Sequence, residues 1–173
     1  RYSVSRDGQV LIAPSAVSMR LSDGVVFGQN DKVRKVAKTS SDETFPAVAY
    51  KKAEVRDNYN QITLLFKEFA LVFRAYDDGV AYRFEGRLGK AKEYKVISEQ
   101  AEFDFGKDRT AFVPYVIGLG GKQFDGQFYN SFENTYRLQR LSEWRKDKLA
   151  FLPLAVEAED GVKVLVTEAG LMN

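Results

Sequence analysis

The run Val72-Phe73-Arg74-Ala75-Tyr76-Asp77-Asp78-Gly79-Val80-Ala81-Tyr82-Arg83-Phe84-Glu85 constrains the fold more than any other stretch of this chain. Two segments rich in β-branched and aromatic residues flank an Asp-Asp-Gly turn signal, the pattern of a β-hairpin. A two-residue loop at Asp78-Gly79 would set Arg74 opposite Arg83, and like charges facing each other across a strand pair are destabilising. A three-residue loop from Asp77 to Gly79 avoids that clash, with Gly79 as the left-handed residue of a bulge. It predicts Arg74 opposite Tyr82, Tyr76 opposite Val80 and Val72 opposite Phe84.

The same grammar recurs along the chain. Asp7-Gly8, Asp23-Gly24, Asp57-Asn58, Asp125-Gly126 and Asp160-Gly161 punctuate β-branched and aromatic runs at the intervals of a meander. The runs predict strands over 2–5, 9–12, 17–21, 53–57, 61–66, 71–76, 80–85, 95–105, 152–158 and 162–167, and an all-β, antiparallel sandwich. Lys38 to Asp42 reads as a polar loop. Gly118 to Gly126 reads as a mobile or ligand-facing loop, but it lacks the Gly-x-Gly-x-x-Gly spacing and no helix pattern follows to present an N-terminus to phosphate. Leu138, Leu141 and Trp144 recur at three-residue spacing, which predicts a short helix packed on the sandwich.

A chain of 173 residues is long enough for one domain with a substantial core. With 26 Lys and Arg against 24 Asp and Glu, the net charge of +2 offers no electrostatic footprint for nucleic acid or an anionic membrane. The absence of Cys and His removes thiol nucleophiles, disulfides, a Ser-His-Asp or Cys-His site, histidine metal ligands and a histidine pH switch. Carboxylates, Lys, Arg, Tyr and backbone are left for chemistry. There is no apolar run long enough for a membrane-spanning helix. The chain opens on Arg1-Tyr2-Ser3-Val4, as though inside a strand, and reads as one domain, 1–173, excised from a longer protein.

Among the acids, Asp77 with Asp78, Glu157 with Glu159 and Glu102 with Asp104 could be offered as catalytic pairs, since glycoside hydrolysis uses two carboxylates. Each fits a turn or a solvated strand face better. Glu168 differs, because the period of two places it after Val162, Val164 and Val166 on one face of the closing strand. A carboxylate ending an apolar stripe is expected to find an Arg or Lys, to emerge into water, or to take part in a site. Tyr129, Phe132, Glu133, Asn134 and Tyr136 mix aromatic platforms with hydrogen-bonding groups, as a carbohydrate contact surface does, with core packing as the structural alternative. Arg56-Asp57-Asn58-Tyr59-Asn60 reads as a turn held by Asx hydrogen bonds.

Taken in order, Val55-Arg56-Asp57-Asn58-Tyr59-Asn60, the hairpin from Val72 to Glu85, and the closing Val164-Leu165-Val166-Thr167-Glu168-Ala169-Gly170-Leu171 resemble the N-terminal domain of glycoside hydrolase family 97. Tyr2-Ser3-Val4, Asp7-Gly8 and Ser15 fit the same pattern, so the resemblance covers nearly the whole chain. It implies an all-β, antiparallel β-super-sandwich of the galactose mutarotase-like kind, packed in the parent enzyme on its own C-terminal catalytic (β/α)8 barrel. It further implies a bacterial α-glucosidase or α-galactosidase acting on oligosaccharides, exported to the periplasm and dependent on calcium. The glutamate of the Thr-Glu-Ala-x-Leu segment, here Glu168, would be the metal ligand donated from this domain. The domain would also help wall the sugar pocket, for which the residue mixture noted above makes Glu133, Asn134 and Tyr136 the candidates, and the isolated domain would be inactive. Past Leu171 the chain departs from the aromatic and Pro-Gly continuation usual in that family.

Two rival readings belong to other classes. A stand-alone carbohydrate-binding or surface-interaction sandwich would need no catalytic partner. A mutarotase-type epimerase would share the fold, but those enzymes use His as acid and this chain has none.

Overall fold

In a computed structural model, residues 1–48, 51–86, 95–117 and 124–169 are described. They form β1 (Tyr2–Arg6), β2 (Gln9–Ser15), β3 (Val17–Leu21), β4 (Val26–Phe27), β5 (Lys35–Pro46), β6 (Glu54–Leu65), β7 (Phe69–Ala75), β8 (Val80–Gly86), β9 (Val96–Ala101), β10 (Thr110–Val113), β11 (Arg137–Arg140), β12 (Leu154–Glu157) and β13 (Lys163–Val166). The helical content among these residues is three short 3₁₀ turns, Phe124–Phe128, Leu141–Glu143 and Glu159–Gly161. All strand pairings are antiparallel. The expected all-β, antiparallel class is therefore what forms. No helix among the described residues is long and apolar enough to cross a membrane.

The strands divide into two compact units, one of residues 16–102 with Arg1, the other of residues 2–15 and 103–173. The first unit holds a four-stranded sheet, β5-β6-β7-β8, and a three-stranded sheet, β4-β3-β9. Cross-strand rows Leu64, Leu71, Phe84 and Ile62, Phe73, Tyr82 share one face of the larger sheet. There Phe69, 1% exposed, stacks on Phe27 at 4.4 Å and on Phe66 at 4.3 Å. Gly28 closes the turn after β4 with φ of +85°, and a Cβ there would lie 2.5 Å from the Val17 carbonyl oxygen, so no other residue fits.

The Val72–Glu85 hairpin forms, but in a register one residue away from the expected one. Phe73 faces Tyr82, Arg74 faces Ala81 and Ala75 faces Val80. The Tyr76 N–H donates to the Gly79 carbonyl, and Gly79 does not take the positive φ of a bulge. A one-residue slip exchanges the two faces of a strand. The observed register puts the aromatic pair Phe73–Tyr82, 5.8 Å apart, among Leu71 and Phe84. It also frees Arg74 for the opposite face, where its Nε donates to Gln61 Oε1 at 2.9 Å and its guanidinium lies 4.0 Å over the Tyr59 ring. Opposition of Arg74 and Arg83 is avoided all the same, by a different route.

Two expected loops are strand. Lys38 to Asp42 lies in the middle of β5, and Asp57-Asn58 is no turn but the interior of β6, facing Glu43 and Asp42. β5 is an edge strand with nearly every side chain exposed, so polar residues are tolerated along its length and the hydrophobic alternation that marks a strand is missing. Arg56 instead fixes the pairing, with Nε and Nη2 each 2.6 Å from a carboxylate oxygen of Asp42.

The second unit packs the β1-β2 hairpin with the sheet β11-β10-β12-β13. Asp7 and Gly8, with φ of 51° and 80°, form the expected tight turn between β1 and β2. Ile12, Phe105, Ala111, Val113 and Val156 are the buried centre, and Tyr2, Val4, Trp144, Val164 and Val166 pack against it. β10 and β11 had no clear signal in the sequence. Leu138 belongs to β11, opposite Phe112, so the expected helix reduces to the 3₁₀ turn Leu141–Glu143. Asp125-Gly126 likewise falls in a 3₁₀ turn and not a hairpin loop. Residues 118–123 of the expected glycine-rich loop, and Gly170 to Asn173, lie outside the described residues.

Candidate functional site

Glu168 is positioned by β13. That strand pairs with β12 in the register Leu154–Val166, Ala155–Leu165, Val156–Val164 and Glu157–Lys163. Val164 and Val166 turn inward to the core of the second unit, and the chain then leaves the sheet, so that Thr167, Glu168 and Ala169 are all exposed. Among the described residues no cation lies within ion-pair distance of the Glu168 carboxylate. Solvation removes the need for one, because the cost of an unpaired carboxylate arises from burial. Among the described residues the alternative of an internal salt bridge does not form, and Glu168 is exposed just past the strand end.

A single carboxylate fits calcium by donor type but not by number, since the ion takes six to eight oxygens. No group of three or more acidic side chains that could hold a metal occurs among the described residues. Glu168 can supply one or two oxygens, and the rest of any site would have to come from elsewhere.

The aromatic segment that follows the 3₁₀ turn Phe124–Phe128 is held by internal hydrogen bonds. Buried Gln127 donates from Nε2 to the Asp147 carbonyl at 2.9 Å and accepts from the Leu149 N–H at 2.8 Å. Asn130 Oδ1 accepts from the Phe132 N–H at 2.6 Å, with Phe132 at φ of 52°. Asn134 Nδ2 donates to the Tyr115 carbonyl at 2.7 Å, and the Tyr136 hydroxyl donates to the Pro153 carbonyl at 3.1 Å. Phe151 gathers Phe132 and Tyr136 edge-on, at 6.3 and 6.4 Å. Glu133 is exposed. The structure thus brings Glu133, Asn134 and Tyr136 onto one ordered segment, but no hydrogen bond or ion pair among the described residues links them to Glu168. Gln127, Tyr115 and Pro153, which hold this segment, carried no signal in the sequence, because each acts through a partner distant along the chain.

The other acids have structural partners or lie in turns. Glu102 Oε2 accepts from the Ala16 N–H at 2.6 Å, Asp104 from the Gly106 N–H at 2.7 Å, and Glu157 lies 3.6 Å from Lys163. Asp77 and Asp78 sit exposed in the β7–β8 turn. Lys107 and then Arg109 hold the Glu159 carboxyl below the usual carboxylate range, from 2.5 and 3.0 Å. Asp108 is lowered first by the backbone N–H and hydroxyl of Ser142, at 2.8 and 2.9 Å, and less by Arg140. A carboxyl whose pKa is depressed on folding stabilises the fold above its unfolded value, about 4, and that contribution is lost as pH falls through the folded value. Asp108→Asn is therefore expected to lower the melting temperature at neutral pH, with the difference from the parent protein shrinking as pH falls below the ordinary carboxylate range. Melting curves that stay equally separated from pH 7 to pH 2 would rule out this role for Asp108.

Comparison with known proteins covers the chain from end to end. Residues 1–173 match the family model described as Glycosyl-hydrolase 97 N-terminal. The chain is 44% identical over 173 residues to a protein of Bacteroides thetaiotaomicron named "Retaining alpha-galactosidase", covering 99% of this chain and 26% of that protein. Among solved structures, a beta-arabinopyranosidase is similar with a TM-score of 0.82 at 22% identity, over 98% of this chain and 28% of that one. A Glycoside Hydrolase Family 97 enzyme from Pseudoalteromonas sp. strain K8, in complex with acarbose, is similar with a TM-score of 0.76 at 23% identity, over 98% of this chain and 25% of that one. The chain thus spans about a quarter of the length of these relatives, and at such identities the structural likeness carries the fold alone.

Proposed function

The chain belongs to the family of glycosyl-hydrolase 97 N-terminal domains, and from that premise we propose that its parent is a calcium-dependent, retaining α-galactosidase in which this domain is non-catalytic. The observation that carries the reading is the 44% identity to a retaining alpha-galactosidase across 99% of the chain. α-Glucosides are the alternative substrates within the same reading. The domain packs on a C-terminal catalytic barrel, and the parent is exported to the bacterial periplasm.

Each residue has a limited part to play. Glu168, exposed at the end of β13, offers a hard oxygen donor of the kind calcium accepts, and the ion would polarise or orient substrate oxygens when bound. A ligand reaching from one domain into a site completed by another would also hold the two in register. Asn134 and Tyr136 already commit their polar groups to the Tyr115 and Pro153 carbonyls. Their contribution to a sugar pocket is therefore a fixed wall, with the Tyr136 ring and the Glu133 carboxylate facing outward as contact groups. With neither His nor Cys, and with the acid pairs that the sequence offers held in turns or structural contacts, the domain alone is inactive.

Assay of the full-length parent on aryl α-galactosides and α-glucosides, with and without a calcium chelator, tests the reading. Turnover of the galactoside that chelation abolishes and calcium restores is the expected result. Turnover by the 173-residue chain by itself, or activity indifferent to chelation, would overturn it.

A further inference from the structure

The sheet β11-β10-β12-β13 has one face in the core of its unit and a second face that is half-buried at its centre and exposed at its two outer strands. On the covered face run Gln139, Ala111, Val156 and Val164; Gln139 is 7% exposed, and Ala111 and Val156 are sealed from solvent. On the other face the registers line up Leu138, Phe112, Ala155 and Leu165 in one row across all four strands. The two outer members are 60% and 62% exposed. Solvent-facing positions of an antiparallel sheet are ordinarily polar, and a contiguous apolar row across a whole sheet marks a surface that another surface covers.

We infer that this outer face is where the remainder of the parent polypeptide docks, an inference that rests on the reading of the chain as one domain of a longer enzyme. Three observations favour that occupant. The relatives run to about four times the length of this chain, so a large further surface is available to cover the row. The strand that carries Leu165 ends at Val166, two residues before Glu168, so the row and the proposed metal ligand lie on adjoining stretches of chain. The next row on the same face is charged with both signs, Arg140 on β11 and the pair Glu157–Lys163 at 3.6 Å on β12 and β13. An apolar centre beside a rim of mixed charge is the anatomy of a protein interface. A membrane-lying face would carry an excess of Lys and Arg.

These 173 residues hold no cysteine, so a thiol introduced here is unique within its own peptides. Leu138→Cys and Leu165→Cys, made separately in the full-length parent, keep the positions apolar and uncharged. Maleimide labelling would be followed by mass spectrometry of the peptides carrying each site, in native and in denatured enzyme. Both thiols are expected to react at least about tenfold more slowly in the native parent than after denaturation, independent of protein concentration, because a covered thiol is shielded from reagent. Labelling near the denatured rate at either site would overturn the inference. So would protection that appears only as the enzyme is concentrated, which would assign the face to a second copy. Labelling does not depend on turnover: an active, calcium-dependent parent with reactive thiols would remove the docking surface and leave the proposed function. Protected thiols in an inactive parent would do the reverse.

Discussion

In the full-length parent enzyme, Glu168→Gln is expected to raise the calcium concentration for half-maximal activity by roughly tenfold or more, with most of the lost activity recovered at saturating calcium. The substitution keeps the shape of the side chain and one of its oxygens. It removes the negative charge, and affinity at calcium sites is set by ligand charge and by the rigidity of the cage. The surroundings of Glu168 make the experiment clean. Thr167, Glu168 and Ala169 are exposed, and no ion pair to the carboxylate exists among the described residues, so neutralising it disturbs no internal contact. The melting temperature of the calcium-free enzyme should therefore change little. If Glu168 has only a structural part, the opposite pattern follows, with a lower melting temperature and calcium curves that superimpose.

How much of this was legible in the sequence depends on where each signal resides. The Asp7-Gly8 and Asp23-Gly24 turns, strand β3, and the hairpin β7–β8 were legible because turn chemistry and apolar runs are local. The hairpin register was not. It is decided by what the two faces meet, with Leu71, Phe73, Tyr82 and Phe84 on one and the Arg74–Gln61–Tyr59 cluster on the other. β5 was hidden because an edge strand in water needs no apolar alternation, and its register is held by a distant Arg56–Asp42 pair. β10 and β11 were hidden because four residues are too few to show a period, although Ala111 and Val113 are among the most buried in the chain. At the candidate site, the alternation of Val162 to Val166 located β13 but left open whether Glu168 meets a cation or emerges into water; its exposure follows from the chain leaving the sheet after Val166. The internal use of Asn134 and Tyr136 was not legible, since their acceptors, Tyr115 and Pro153, lie 19 and 17 positions away.

Phe69→Ala is expected to cost the first unit about 3–5 kcal/mol, as large-to-small changes at fully buried aromatics do. The segment Phe69-Ala70-Leu71-Val72 is buried at four successive positions where a half-exposed strand would alternate. Both faces of β7 are therefore sealed at this point, and a cavity opened there has little means to collapse. Phe69 lies opposite Gly86 in the register. It stacks between Phe27 and Phe66 with interplanar angles of 18° and 12°, and Phe84 tilts against it at 5.9 Å. Alanine removes the common member of all three contacts, so the loss combines transfer of the ring with the void left among its neighbours. Domains of this kind are stable by only about 5–15 kcal/mol, so the change takes a large share. Phe69→Leu, which fills more of the space, should cost less, and Phe45→Ala, on an edge strand and 49% exposed, should be nearly silent. Urea unfolding of the three variants in the parent enzyme, read by the midpoint with the slope unchanged, measures the order directly. A Phe69→Ala loss no larger than that of Phe45→Ala would mean that the stacked aromatics are not the packed core of this unit.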